Sequence, residues 1–362
     1  MKIKKYISII AGIAILNAAV LSGCSSVDSE KVSNKTEDTE VSQEAESKTV
    51  TTYDGKVVDV SNVTLRIAAA GGANGQGALE AAGLDDTPYK VEFTVMQGGN
   101  LVMEALAANQ IDLGAGSQIP PLSAFLANNK GNFKVVAIRQ GSTLNQELII
   151  PEDSTVKSVS ELKGKRVGYV KNTTAHYFLY KMLTAAGLSW DDIESQPLTT
   201  SDGLTAVLSG EIDAFASYGN SIRSAKEKGA KTLESAVDIL SGNYLFYASP
   251  AAIEDEAYHA AIEDWLYRWH EAHEWARQNP EEWAEFYAPL ISEEPSAYLK
   301  EFNEDNTNRI YAAKPVTDAL IEDEQDIADT FTSLGVFDQR INTAEFFDFS
   351  FSKAVSNFPK YD

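Results

Sequence analysis

The 362-residue chain has one thiol, Cys24. It follows Leu21-Ser22-Gly23, the spacing of a lipobox, in which a signal peptidase cuts before the cysteine and the thiol carries a diacylglycerol. Small residues at Ser22 and Gly23 suit a protease that needs an uncrowded, extended chain at the cut. Other residue types with chemical potential are fewer. His270 and His273 lie three apart beside Glu271 and Glu274, with His259 earlier, a spacing that can hold a metal on a helix. Gly72-Ala-Asn-Gly75-Gln-Gly77 follows an apolar run, where a phosphate cradle would sit, but it lacks the Lys-Ser/Thr of a P-loop and the order of a dinucleotide fingerprint. His176 has no Ser or Cys partner in a recognisable elbow, so it reads as a ligand donor or helix-start residue and not as a base. Asp112 and Asp213 invite pairing as carboxylates, yet their matching positions at strand ends favour the capping of neighbouring turns. His270 and His273 read as residues on a wet, acidic helix face. The sequence therefore predicts no catalytic residue, no metal site and no cofactor.

The elements that would carry these residues begin after an address. Lys2, Lys4 and Lys5 form a positive n-region, and Ile7 to Leu21 is an apolar run short of the ~20 residues a bilayer span takes, so residues 1–23 read as a lipoprotein signal peptide. Residues 24–52 are Ser, Thr, Glu, Asp and Lys with almost no large apolar side chain, too polar to offset ordering entropy. They read as a disordered tether reaching roughly 30 Å. Two or more acyl chains would hold such a protein stably on a membrane. The formal charge is −23; without the three signal-peptide lysines, 27 basic residues face 53 acidic ones, giving −26. Nucleic acid is excluded as a partner, because no basic face exists to release counterions from phosphates.

The body alternates strands and helices. Val63 to Ala70 reads as a buried strand, Ala78 to Ala82 as helical, Val91 to Met96 as a second strand, Leu101 to Asn109 as a helix N-capped by Asn100, and Ile111 to Gly114 as a third strand. The plan recurs with a strand over Lys165 to Val170 and a helix from Ala175 to Ala186. Leu204 to Ala216 then aligns without a gap within Val102 to Ala115, placing Ile111 on Ile212 and Asp112 on Asp213. Two α/β units with mostly parallel sheets follow, and in open sheets ligands sit outside the carboxyl ends of strands. After Tyr244 to Ser249 the chain is mostly helical and acidic, and Trp265, Trp269, Trp275 and Trp283 read as packing residues there.

At this point the chain resembles the ABC-transporter substrate-binding family that takes aliphatic sulfonates, taurine and nitrate, with thiamine-pyrimidine-binding relatives. The resemblance runs from about Val63 to Ala288. It is carried by Val159-Ser-Glu-Leu-Lys-Gly-Lys-Arg-Val-Gly168, then Lys171-Asn172-Thr173-Thr174-Ala175-His176 and Leu179-x-x-x-Leu183. Gly98-Gly99 with Ala105-Leu106, Ile111-Asp112-x-Gly114-x-Gly116 with Pro120, and Gly210-x-Ile-Asp213-Ala214 support it.

The resemblance implies an α/β type 2 periplasmic-binding-protein fold: two lobes, two crossovers, a ligand cleft between the lobes, and extra C-terminal helices padding the first lobe. Lobe 1 is expected over 53–146 and 247–362 and lobe 2 over 147–246, with crossings near Gln146 to Pro151 and Tyr244 to Ser249. The ligand-binding positions it implies are Gly71, Gly72, Ala73, Gln97, Gly98, Gly99, Gly116, Ser117, Gln118, Asn172, Thr173, Thr174, His176, Ser217 and Tyr218. Glycines let backbone N–H groups approach a ligand, and helix starts at Asn100 and Thr174 present donors to an anionic oxygen. The chain departs from the family pattern at Phe215, Tyr218, Gly219 and Asn220, where tryptophans and an acidic-Pro pair are usual, and at Asn172, where Gly is usual.

Arg139, Lys171 and Arg223 fall in the expected cleft loops with almost no carboxylate, which favours an anionic or neutral polar ligand. The function expected is that of a monomeric, membrane-anchored solute-binding partner of an ABC permease and ATPase. A thiamine-pyrimidine-type precursor binder and a surface sensor or adhesin are the alternatives. An enzyme of the pyrimidine-synthesis branch sharing the fold would need a Cys-rich segment, which the body lacks.

Overall fold

The computed structural model describes residues 48–70, 74–96, 98–291 and 293–361; Cys24, the signal peptide, most of the tether, Gly71, Gly72, Ala73 and Gln97 lie outside the described residues. The end of the expected tether is ordered. Thr49–Thr51 (β1) pairs antiparallel with Val57–Asp59 (β2). Val50 opposite Val58 buries one side of the ribbon, so the start of the body moves back from Tyr53 to the first strand.

Lobe 1 opens with Thr64–Ala70 (β3), Asn74–Ala82 (α1), Lys90–Met96 (β4), Gly99–Ala107 (α2), Leu113–Ser117 (β5), Ile119–Phe125 (α3) and Lys134–Gln140 (β6). Lobe 2 follows with Gln146–Ile150 (β7), Arg166–Tyr169 (β8), Thr174–Ala185 (α4), Glu194–Pro197 (β9), Thr200–Leu208 (α5), Ala214–Tyr218 (β10), Asn220–Glu227 (α6) and Lys231–Ser235 (β11). The chain returns through Asn243–Ala248 (β12) into Pro250–Glu254 (α7), Glu256–Gln278 (α8), Pro280–Tyr287 (α9), Pro295–Asn308 (α10), Ala313–Lys314 (β13), Asp318–Ser333 (α11) and Ser352–Ser356 (α12).

The two sheets have orders β13-β6-β12-β5-β3-β4 and β11-β7-β10-β8-β9. In each, a first strand lies between its second and third, all parallel, and the strand that has just crossed from the other lobe runs antiparallel beside the third. Both crossings sit a few residues earlier than the sequence predicts. They occupy 141–145 and 236–242, so Gln146 already belongs to lobe 2 and all of β12 to lobe 1. The crossing segments touch: the Gly141 N–H donates to the Gly242 carbonyl at 2.9 Å. Gly242 has φ +71°, and a Cβ there would meet the Gly141 oxygen at 2.5 Å, so only glycine fits this crossing.

The repeat reaches individual side chains. Asp112 Oδ2 accepts from the backbone N–H of Arg66 and from its Nε, each at 2.9 Å, while the Asp112 N–H donates to the Arg66 carbonyl. Asp213 does the same with Arg166, at 2.9 and 3.2 Å. Each aspartate precedes the third strand and ties it to the start of the first, at the sheet end away from the cleft. The arginines Arg66 and Arg166 are a matching feature that lies outside the aligned segments of the sequence repeat.

The core lies in layers on both faces of both sheets. Trp265, Trp269 and Trp283 are buried, and Phe246 packs edge-on to Trp265 and Trp269. His270 and His273 are buried too, contrary to the expected wet face. The His270 ring bonds the Pro359 carbonyl and the Ala313 N–H, and His273 Nδ1 lies 2.8 Å from the Trp269 carbonyl. Helix α8 packs on lobe 1, but α11 departs from the expectation that the C-terminal helices pad lobe 1 alone. Its Asp326 accepts from Tyr177 (2.6 Å) and Lys181 (2.9 Å) of lobe 2, while Asp323 and Glu324 accept from Gln118 of lobe 1.

Candidate functional site

A cleft of about 950 Å³ opens where the carboxyl ends of the parallel strands of the two lobes face each other. That position follows from the topology: strand ends and helix starts leave backbone groups unspent at one edge of each sheet. Lobe 1 contributes Gly98, Gly99 and Asn100 at the start of α2, and Gly116 and Ser117 at the end of β5. Lobe 2 contributes Asn172, Thr173 and Thr174 at the start of α4, and Tyr218 and Gly219 before α6. Met103, Ile119, Pro120 and Leu144 supply an apolar wall. No side chain caps α2 or α6. Thr173 caps α4 by accepting from the Ala175 N–H, and Thr174 Oγ1 donates to Gln146 Oε1 at 2.6 Å, which holds the α4 start against β7. Burial raises the pKa of the Tyr218 phenol, so it enters the cleft protonated.

Arg139 is the cationic centre. It stands on β6 opposite Tyr244 of β12, which in turn faces Ser117 of β5, so the three share one row across the sheet. Its guanidinium lies 4.9 Å from the Tyr244 ring centroid and 5.1 Å from that of Tyr311. The Nε is buried with no hydrogen-bond partner, and no carboxylate pairs with the side chain among the described residues. Burial pulls its pKa below the ordinary arginine value, opposed by the neighbouring phenols. Withdrawing an ion from water costs several kcal/mol, and a cation–π contact returns about 2 kcal/mol at best when desolvated. The guanidinium is not fully enclosed: Arg139 is half-buried and lines the cleft, where an anion can reach it.

Of the positions implied by the family resemblance, Gly98, Gly99, Gly116, Ser117, Asn172, Thr173, Thr174 and Tyr218 line the cleft. Three do not. The Gln118 amide turns away to donate to Asp323 (2.8 Å) and Glu324 (2.9 Å) of α11. His176 is buried among Tyr169, Trp190 and Phe331, and burial lowers its pKa to about 4, so it stays neutral in the core. Ser217 is fully buried and bonds Ser221 at 2.7 Å. Both Gln118 and Ser217 neighbour a true lining residue in a strand or helix start, where successive side chains point to opposite sides. Lys171 is exposed and is not a lining residue.

The expected shortage of carboxylates is corrected by the fold. Glu104 of α2 and Glu301 and Asp305 of α10 line the cleft. Helix α10 follows the stretch in which the family resemblance was legible, and nothing in its local sequence ties it to the cleft. Arg223 of α6 in lobe 2 pairs with Glu301 and lies 3.7 Å from Glu293, so an ion pair joins the lobes across the mouth. Asp305 is half-buried; burial raises its pKa, while Ser142 and Arg223 lower it.

A model of the family described as NMT1/THI5 like matches residues 73–282, more than half of the chain. The chain belongs to the NMT1/THI5-like family. Within it, the chain is 29% identical over 171 residues to a protein of Escherichia coli (strain K12) named "Putative aliphatic sulfonates-binding protein", covering 47% of this chain and 53% of that one. The chain thus spans about half the length of the curated relatives it matches. The periplasmic aliphatic sulphonate binding protein SsuA from Escherichia coli superposes with a TM-score of 0.71 at 23% identity, over 78% of this chain and 91% of that one. The desulfurization enzyme DSZB superposes with a TM-score of 0.59 at 15% identity, over 81% of this chain and 99% of that one. These likenesses establish the α/β two-sheet fold of the periplasmic binding proteins, a fold that also serves an enzyme.

Proposed function

We propose that this chain is the extracytoplasmic, lipid-anchored solute-binding component of an ABC importer, and that its cleft captures a small anionic or polar solute, such as an aliphatic sulfonate, taurine or nitrate, without turning it over. The observation that carries the reading is Arg139, a half-buried guanidinium whose Nε is buried without a hydrogen-bond partner and which has no anionic partner among the described residues, held between two tyrosines in a cleft built from two lobes. A tetrahedral or planar oxyanion satisfies that fork and the donors at the starts of α2, α4 and α6 together. The sulfonate-binding relatives support the same chemistry.

Transport follows from closure. Ligand contacts to both lobes exist only when the cleft is shut, so the ligand shifts the lobe equilibrium by its differential affinity, and a permease and its ATPase read the closed form of a monomer. Cys24 anchors the chain outside the cytoplasm.

Calorimetric titration of the purified protein against methanesulfonate, ethanesulfonate, taurine and nitrate tests the reading; saturable binding of at least one is expected, and no binding of any would overturn it. In cells, Cys24→Ser is expected to move the protein from the membrane to the soluble fraction, and continued membrane retention would remove the anchor.

A further inference from the structure

Resting on the solute-binding reading, we propose that Asp326 is a positioning residue for lobe closure: by holding Tyr177 and Lys181 it latches α4, and with it the lobe 2 side of the cleft, in the shut arrangement. Helix α11, which carries Asp326, is tied to lobe 1 at both ends. It follows β13, which pairs with β6. After it the chain returns to the same strand, where Phe347 bridges Val135 and the Asp348 N–H donates to the Val135 carbonyl at 2.9 Å. The first half of the helix is fixed to that lobe as well. Asp323 accepts from Gln118 at 2.8 Å and from Asn243 of β12 at 3.1 Å. One turn on, the same helix reaches the other lobe. Asp326 Oδ2 accepts from the Tyr177 hydroxyl at 2.6 Å and from Lys181 at 2.9 Å, and the Phe331 ring lies 5.3 Å from that of His176.

Tyr177 and Lys181 stand one turn apart on α4, so both reach a single carboxylate from one face. Thr174 opens that helix and Thr173 caps it, and both line the cleft. A contact that fixes Tyr177 therefore also fixes the helix start that faces a ligand. In this structure the lobes touch at the mouth through Arg223, Glu293 and Glu301, and the latch is made in the same arrangement. Because α11 stays with lobe 1, a swing of lobe 2 that parts the mouth slides α4 past Asp326. The 2.6 Å hydrogen bond is lost once its atoms move about 1 Å further apart. The contact thus belongs to the shut form and enlarges its share of the ligand-free population. Tyr177, Lys181 and Asp326 lie outside the residues that line the cleft. Their effect falls on every ligand alike, since apparent affinity scales with the fraction of protein already competent to bind.

The latch is broken from both sides, by Asp326→Ala and by Tyr177→Phe combined with Lys181→Gln, in the full-length chain carrying Cys24→Ser. Spin labels on Ala297→Cys and Glu227→Cys report the opening of the mouth without ligand; both positions are exposed, one turn before Glu301 and one turn after Arg223. Calorimetry with ethanesulfonate, taurine and nitrate reports affinity. Both variants are expected to move the ligand-free label distances to longer values, and to weaken every compound that binds by one common factor of about three- to ten-fold. Label distances that match the unlatched and latched proteins to each other would overturn the inference, as would unchanged or tighter binding. Losses that differ from compound to compound overturn it too, because they mark a direct effect on the cleft. If no compound binds even with the latch intact, the solute-binding reading fails, and the latch stands or falls on the label distances alone.

Discussion

At Arg139 the requirements of folding and of binding pull apart. A half-buried guanidinium held between Tyr244 and Tyr311, with its Nε unpartnered and no carboxylate beside it, gains the ligand-free fold little beyond the two ring contacts. Arg139→Gln is therefore expected to leave the melting temperature of the ligand-free protein unchanged or raise it, while anion affinity falls ten-fold or more. A large loss of stability without ligand would mark the residue as structural instead. Thr174 and Tyr218 were readable in the sequence because they follow strand ends in a recognisable order. Gln118, His176 and Ser217 look equivalent on paper and are not. One position along a strand or helix start turns a side chain from the cavity into the core, and the linear order does not record which way it turns.

Among the elements, α6 and α10 make the contact that joins the two lobes at the mouth of the cleft. The Arg223 pairs with Glu293 and Glu301 are about a quarter exposed on both sides, so each contributes no more than about 1 kcal/mol, reduced further by salt. Arg223→Ala is expected to weaken ligand binding about two- to five-fold, a change of at most about 1 kcal/mol, and to flatten its dependence on ionic strength. Glu293→Gln, which lies outside the cleft, separates the two roles open to Arg223: a smaller change of the same sign supports a lobe-to-lobe clamp, and no change supports direct ligand contact alone. Individual strands and helices were legible to within a few residues, because apolar runs, glycines and caps are local. Strands β9 and β11 are too polar to carry a comparable signal, whereas β6 and β7 do carry apolar runs, over 135–138 and 148–150. Helix α2 starts at Gly99 with Gly98 as its cap position, so Asn100 lies in its first turn and not at the cap.

In the whole molecule, α11 acts as a strap across both lobes. Its Glu324 is fully buried, one oxygen accepts from Gln118, and the other has no partner among the described residues. Burial, with Asp323 nearby, holds its pKa well above the ordinary glutamate value. The folded protein keeps a proton there that the unfolded chain releases above about pH 4.3, so this residue's contribution to stability falls as pH rises from that point toward the folded pKa. Glu324→Gln cannot titrate. Thermal melts from pH 4 to pH 8 are expected to show the variant gaining on the wild type as pH rises, and a difference independent of pH would refute the assignment.

The sequence by itself determined the class of the molecule. Its alternating apolar runs specify parallel α/β units, its repeated helix-turn-strand segment points to two of them, and its glycine and threonine loops mark the sheet edges that line the cleft. These are properties of neighbours along the chain, where periodicity and backbone chemistry act directly. Tertiary structure decided what those edges hold. Arg139 became a half-buried, unpaired cation only when Tyr244 and Tyr311, more than a hundred residues further along, closed over it. Glu301 and Asp305 reached the cleft only when α10 folded back to line it. Charge pairing and burial depend on distance in space, and a chain that returns to its first lobe after visiting the second brings together residues whose separation in sequence carries no trace of the contact.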